Sequence, residues 1–182
     1  RQMCIRDRDK AVECYNKAIS LGYMEAYDDM SKLYMYEPNT FKTKDPQKGI
    51  EWLMKGAEYG EPSCLSAIAL CYYFGTGVAQ NYSNALKWFL KAAGAGDGFS
   101  CYIIGVMYYY GEGVDEDDKL AWDWFKRGAA MFQSNCFYML GVMCRDSNSP
   151  EGKNEDCIKY FEESADLAGG GRNDSLLGLY EI

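Results

Sequence analysis

The chain has no histidine among its 182 residues. That removes the side chain most used for proton transfer near neutral pH, and the commonest metal ligand. A hydrolase would have to run on carboxylates, lysine or cysteine alone. Ser-x-x-Lys, Gly-x-Ser-x-Gly and the phosphate-cradling Gly-x-x-x-x-Gly-Lys are missing as well, and with them the short motifs of acyl transfer and nucleotide binding. The eight cysteines fall at 4, 14, 64, 71, 101, 136, 144 and 157, with no C-x-x-C pair for a zinc site. A cysteine without histidine lacks its usual activating base. These gaps argue against an enzyme, and no catalytic, cofactor-binding or metal-ligating residue is assigned.

Other classes fall to what is scarce. No apolar run reaches the roughly 18 residues that a membrane-spanning helix needs, and the N-terminus shows no apolar signal-peptide core. Nineteen basic residues stand against 27 acidic ones, a net charge of −8. Nucleic acids and anionic membrane surfaces are bound by basic footprints, which such a chain lacks. Cys64 and Cys71 share one predicted helix, as do Cys136 and Cys144. At helical rise these pairs lie about 10 and 12 Å apart, too far for a disulfide. Buried reduced thiols in a cytoplasmic protein are expected. A secreted protein is the alternative if a signal peptide precedes residue 1.

What is present is a repeat. Ala85-Leu-Lys-Trp-Phe-Leu-Lys-Ala-Ala93 follows Gly49-Ile-Glu-Trp-Leu-Met-Lys-Gly-Ala57, and Ala121-Trp-Asp-Trp-Phe-Lys-Arg-Gly-Ala129 and Cys157-Ile-Lys-Tyr-Phe-Glu-Glu-Ser-Ala165 come after it. The outlying first copy is Ala11-Val-Glu-Cys-Tyr-Asn-Lys-Ala-Ile19. The starts are 38, 36, 36 and 36 residues apart. A fixed period of this size means stacked units, none of which buries its own apolar face. With 48% hydrophobic residues there is material for a continuous core.

Each period reads as two helices. Helix A is clearest in Ser100–Tyr110, where Cys101, Ile104, Met107 and Tyr108 form one stripe. Its counterparts begin near Glu25, Pro62, Ser134 and Asp174. Helix B presents Ala85, Trp88, Phe89, Ala92 and Ala93, and the recurring Trp52, Trp88 and Trp124 are expected in the core. Tyr34, Tyr72, Tyr108 and Tyr180 recur on helix A and are expected to be packed. Gly75-Thr-Gly-Val78 and Gly111-Glu-Gly-Val114 end helix A, and Gly22, Gly60 and Gly96 close helix B. Asp45-Pro46 starts a helix B, and the acidic run Asp115–Asp118 reads as capping and solvation before another. The A-to-B loops from Glu37 to Asp45 and from Ser147 to Gly152 depart from the Gly-x-Gly form. Residues 1–8 stand outside the pattern and read as a non-repeat segment of artefactual origin. Residues 9–182 read as one array of four to five repeats, a fragment of a longer one.

Leu-Gly-x-x-Tyr on helix A, Gly-x-Gly-Val in the loop and Ala-x-x-Trp-x-x-Lys-Ala-Ala on helix B together resemble the SEL-one-like repeat (SLR) family, a relative of the tetratricopeptide repeat. The copy from Ser100 to Phe132 carries Ile104-Gly105, Tyr108, Gly111, Gly113-Val114, Ala121, Trp124 and Ala129, with Phe132 where the closing glycine belongs. The copy from Cys64 to Gly96 has Ala69 for the helix-A glycine. The resemblance implies an all-α, right-handed superhelix of antiparallel helix pairs, and a role as adaptor or scaffold. Some secreted bacterial members carry a disulfide in each repeat. Here its second half matches Cys101 but its first falls on Ala93, so that bridge cannot form.

If helix A lines the concave surface, as in tetratricopeptide arrays, the inward positions count off from the helix-A glycine. Asp28, Ser66, Tyr102 and Tyr138 make one row. Lys32, Leu70, Val106 and Val142 make the second, and Met35, Tyr73, Tyr109 and Arg145 the third. Tyrosines beside small apolar residues, rimmed by charge, suit a groove for a peptide or protein. Two other readings remain open: the tyrosines cover seams between repeats, or the array is a plain spacer. A hydrolase like those claimed for cysteine-rich secreted relatives is a further alternative.

Overall fold

The computed structural model describes residues 2–35, 45–146 and 157–168, with the backbone alone for residues 2–8. The loop departures at 37–44 and 147–152, the helix expected near Asp174 and Tyr180 lie outside the described residues. The chain divides into two compact units, Arg1–Ala95 and Gly96–Ile182. Unit 1 holds α1 (Gln2–Ser20), α2 (Ala26–Met35), α3 (Pro46–Glu58), α4 (Pro62–Phe74) and α5 (Tyr82–Gly94). Unit 2 holds α6 (Gly98–Tyr110), α7 (Asp118–Ala129), α8 (Ser134–Arg145) and α9 (Cys157–Leu167). Among the described residues there is no strand. The helix-A starts at Pro62 and Ser134 coincide with those expected from sequence. Helix α1 begins at Gln2, so its backbone runs through most of the segment set aside as non-repeat.

The punctuation works by local hydrogen bonding. Asp45, Asn81 and Asp117 cap α3, α5 and α7, their side chains accepting from the N–H groups of Lys48, Asn84 and Leu120. The N–H of each capping residue also donates back to a helix-A tyrosine carbonyl: Asp45 to Tyr34 (3.1 Å), Asn81 to Tyr72 (2.8 Å), Asp117 to Tyr108 (2.9 Å). So one member of the acidic run is a cap. Gly75 and Gly111 end α4 and α6 in the left-handed region, with φ of 73° and 67°. Gly77 is constrained twice, by φ 73° and by Pro46, whose Cβ would lie 2.8 Å from an added Cβ. Phe132 holds φ 59° where a glycine closes helix B elsewhere. It still makes that closure, since its N–H donates to Ala129 and that of Gln133 to Gly128. For a residue with a Cβ this conformation costs about 1–2 kcal/mol.

Within a helix pair, a small residue of helix A faces a large one of helix B. A Cβ added at Gly105 would sit 2.4 Å from the Phe125 ring, and one at Gly141 2.8 Å from Phe161. At the other end of the pair the sizes reverse, Gly49 of α3 meeting Met35 of α2. At two junctions between consecutive pairs, one in each unit, the contact is a glycine against a thiol. Gly56 of α3 receives Cys64 of α4, and Gly128 of α7 receives Cys136 of α8, each sulfur lying where a side chain on the glycine would collide with it. These partners run antiparallel, for α6 and α7 meet both as Gly105 on Phe125 and as Cys101 on Gly128. Leu53, Phe89, Phe125 and Phe161 are fully buried, each contributing on the order of 2–3 kcal/mol by removal from water.

The tryptophans correct the expectation from sequence. Trp52, Trp88 and Trp124 are half-buried, not core. Each lies under a cation one helical turn on: Lys55 Nζ at 4.3 Å, Lys91 Nζ at 4.0 Å and Arg127 at 5.1 Å from the ring centre. The next residue along each helix takes the core. Only Trp122 is a buried tryptophan, 2% exposed and edge-on to Tyr160 at 5.9 Å, its indole N–H without a partner.

Two measurements test this packing. Gly128→Ala should cost about 1–3 kcal/mol in urea denaturation. Adding Cys136→Ala, which removes the clashing sulfur, should give a double mutant more stable than the sum of the two changes. Phe132→Gly should stabilise by about 0.5–1 kcal/mol, read as a higher thermal midpoint.

Candidate functional site

Of the nine residues proposed from sequence, unit 1 brings three into one open groove. Helices α2 and α4 lie side by side, and the groove between them encloses about 190 Å³. Asp28, Ser31, Lys32 and Met35 line it from α2, and Ser63, Ser66, Ala67 and Leu70 from α4. Asp28, Lys32 and Ser66 therefore meet as the row count anticipated, together with Met35 and Leu70. Ser31 and Ser63 belong to the same wall, and sequence reasoning missed them. Spacing could have found them, since each lies three residues from Asp28 or Ser66 along its own helix.

Helical spacing also explains the polar wall. Lys32 Nζ reaches Asp28 Oδ2 at 2.7 Å, one turn back, and Asp29 Oδ1 at 3.2 Å. Ser31 Oγ donates to the Asp28 carbonyl (2.7 Å) and Ser66 Oγ to the Ser63 carbonyl (3.1 Å). Asp28 is only 9% exposed. Burial pushes its carboxyl above the ordinary range, and the Lys32 ammonium pulls it only partly back. The hydrogen bond to Asp28 raises Lys32. The Cys64 thiol, behind the groove on α4, is pushed up to about 12, first by burial and then by the charges of Asp28 and Glu61.

The other six residues do not line this groove. Tyr73 is edge-on to Tyr82 (5.3 Å) and Phe89 (6.3 Å) of α5, covering the side of its own helix pair. In unit 2, Tyr102 lies 6.3 Å from Phe125 and Tyr138 5.7 Å from Phe161. Val106 and Tyr109 pack beside them on the same core. Arg145 Nε donates to the Asp146 carboxylate at 2.9 Å. Tyr102 and Tyr138 are half-buried, and burial raises the Tyr102 hydroxyl. Tyr102 and Tyr138 occupy the row that holds Ser66 and Asp28 in unit 1. Where that row carries tyrosine, the ring covers the helix-B phenylalanine. Where it carries serine or aspartate, space is left.

Burial pushes Cys71 up to about 11 and Cys136 further, so these thiols resist becoming thiolates. Among the described residues no group of three Cys, Asp or Glu could hold a metal ion, and no helix is long and apolar enough to cross a membrane.

A family model for the Sel1 repeat matches residues 2–23, 25–60, 62–97, 98–131 and 138–168. Solved structures similar to the chain include a Sel1 repeat protein from Oxalobacter formigenes, with TM-score 0.84 and 24% identity over 96% of this chain and 69% of that one. Another is c5321, a protective antigen present in uropathogenic Escherichia coli strains and displaying an SLR fold. It has TM-score 0.75 and 22% identity, covering 93% of this chain and 36% of that one. Helicobacter pylori cysteine rich protein B follows at TM-score 0.59 and 24% identity, over 74% of this chain and 95% of that one. At such identities the likeness carries the fold alone, an all-α solenoid of helix pairs. No curated protein matches the chain.

The electrostatics of Asp28 set a pH test. Its folded pKa is raised, so its protonated form is the one that folding favours. Relative to the unfolded chain, this group contributes stability at pH below its unfolded pKa and loses it as pH rises through the folded value. Asp28→Asn mimics the protonated form. The variant should match or exceed the wild type in urea midpoint at neutral pH, and that advantage should shrink on acidification through the carboxylate range. A variant less stable than wild type at neutral pH, recovering in acid, would reverse the sign.

Proposed function

The chain belongs to the Sel1 repeat family, and on that premise we propose that it is a non-catalytic protein-interaction module whose α2–α4 groove takes a segment of a partner protein. The observation that carries this reading is the break in the first inward row. Asp28 and Ser66 stand where α6 and α8 have Tyr102 and Tyr138, and the space a ring would fill is open. Met35, Ala67 and Leu70 give the groove apolar lining, and Ser31 and Ser66 are fixed by bonds within their own helices. Binding then spends little on ordering the receptor. In unit 2, Tyr102, Val106, Tyr109 and Tyr138 offer a flatter aromatic surface to the same kind of partner, rigid rings that cover area at low entropic cost.

Absence of histidine and the raised thiols support a binding role over a hydrolytic one. Seven cysteines among the described residues are unbridged, six of them buried, which suits a reducing compartment such as the cytoplasm.

The test is a selection of peptides from a random display library on the purified chain, counter-screened with Ser66→Tyr. That substitution copies the residue of α6 and α8 and closes the groove. Enriched peptides should bind Ser66→Tyr about tenfold more weakly or worse, with circular dichroism and thermal midpoint unchanged. Enriched peptides indifferent to Ser66→Tyr would remove the groove as the site.

A further inference from the structure

We infer that the α2–α4 groove is a receptor for one basic side chain, the ammonium of lysine or the guanidinium of arginine, carried by an otherwise apolar stretch of the partner. This rests on the groove being the partner site, and it adds the chemistry of what enters.

The wall offers acceptors and has no spare donors in its hydroxyls. Each serine hydroxyl has a single proton, and each has a partner within unit 1. Ser31 gives its proton to the Asp28 carbonyl and Ser66 to the Ser63 carbonyl, while the Ser63 hydroxyl is within reach of both Glu61 Oε1, at 3.3 Å, and the Cys64 thiol. A hydroxyl that donates within its own unit keeps oxygen lone pairs with which to accept. Asp28 adds a carboxylate on a side chain 12% exposed, with one cation on one oxygen. That cation is shared, because Lys32 also holds Asp29. One ammonium facing two carboxylates, with Glu61 beside Ser63, leaves the groove negative.

The cation already present is loosely placed. The Lys32 side chain is 54% exposed, and it can turn to Asp29 and water while an incoming group takes Asp28. In the same groove, Met35, Ala67 and Leu70 supply apolar surface for a lysine or arginine stem. A guanidinium or ammonium on a buried carboxylate makes the stronger, charge-assisted kind of hydrogen bond. The net charge of −8 draws a basic segment in and repels a second copy of this chain or an acidic or phosphorylated peptide.

The probe is the capped peptide Gly-Ser-Leu-Arg-Leu-Ser-Gly and its twin with citrulline for arginine, the same shape without the charge. Each is titrated into the whole chain and followed by amide chemical shifts. The arginine peptide should move the amides of Ser31, Ser63 and Ser66 and bind about tenfold or more tightly than the citrulline twin, an advantage that salt erodes. Asp28→Asn should erase the preference. Lys32→Gln should tighten arginine binding by removing the internal competitor. The inference is overturned if the twins bind alike to the wild type, or if Lys32→Gln weakens the arginine peptide, because removing a cation that competes for Asp28 cannot cost affinity for another cation. If neither twin binds while library peptides still lose affinity for Ser66→Tyr, the basic-side-chain assignment falls and the groove stands. If library peptides ignore Ser66→Tyr, both fall.

Discussion

The close helix contacts of this fold rest on small residues facing bulky ones, in four places a glycine with no Cβ to spare. Gly105 admits Phe125, Gly141 admits Phe161, Gly56 admits Cys64 and Gly128 admits Cys136, all at separations where a methyl group would collide. Interiors packed to crystal-like density have no slack for such a collision. These contacts set how closely helices approach, and the caps and tyrosine carbonyls that tie one helix to the next follow from that approach. A large residue facing a large one would push the pair apart and expose both apolar stripes.

The groove comes from relaxing this rule at one surface row. Tyr102 and Tyr138 each lay a ring over the phenylalanine of the partner helix. Asp28 and Ser66 are too short to do so, and they bring polarity instead of cover. The electrostatic penalty on Asp28 follows directly, since the carboxylate stays near the core with one shared ammonium for company. Binding sites commonly keep such locally unfavourable arrangements, which an arriving ligand can relieve.

Much of this was legible in the sequence. The 36-residue period, the caps at Asp45 and Asp117 and the glycines at 75 and 111 each announce a local conformation with a single physical cause. The tryptophans misled, because a recurring large aromatic looks like core. Periodicity to within one residue cannot say which of two adjacent large apolar residues turns inward, and the cation one turn after each tryptophan was the available clue. The row count placed Asp28, Lys32 and Ser66 together but also put Tyr73 on the same face. Tyr73 instead folds back on Tyr82 and Phe89, a choice made by side-chain packing that helix geometry does not fix.

The glycine–thiol contacts have an evolutionary corollary. Gly56 ends one copy of the motif and Cys64 opens the next, and the same holds for Gly128 and Cys136. The unit that can be shuffled intact is therefore out of phase with the unit that recurs. A recombination breakpoint between a helix B and the following helix A would separate two residues whose sizes were fitted to each other, while one inside the A-to-B loop would keep them together. Lineages that lengthen or shorten such proteins should carry their breakpoints in that loop.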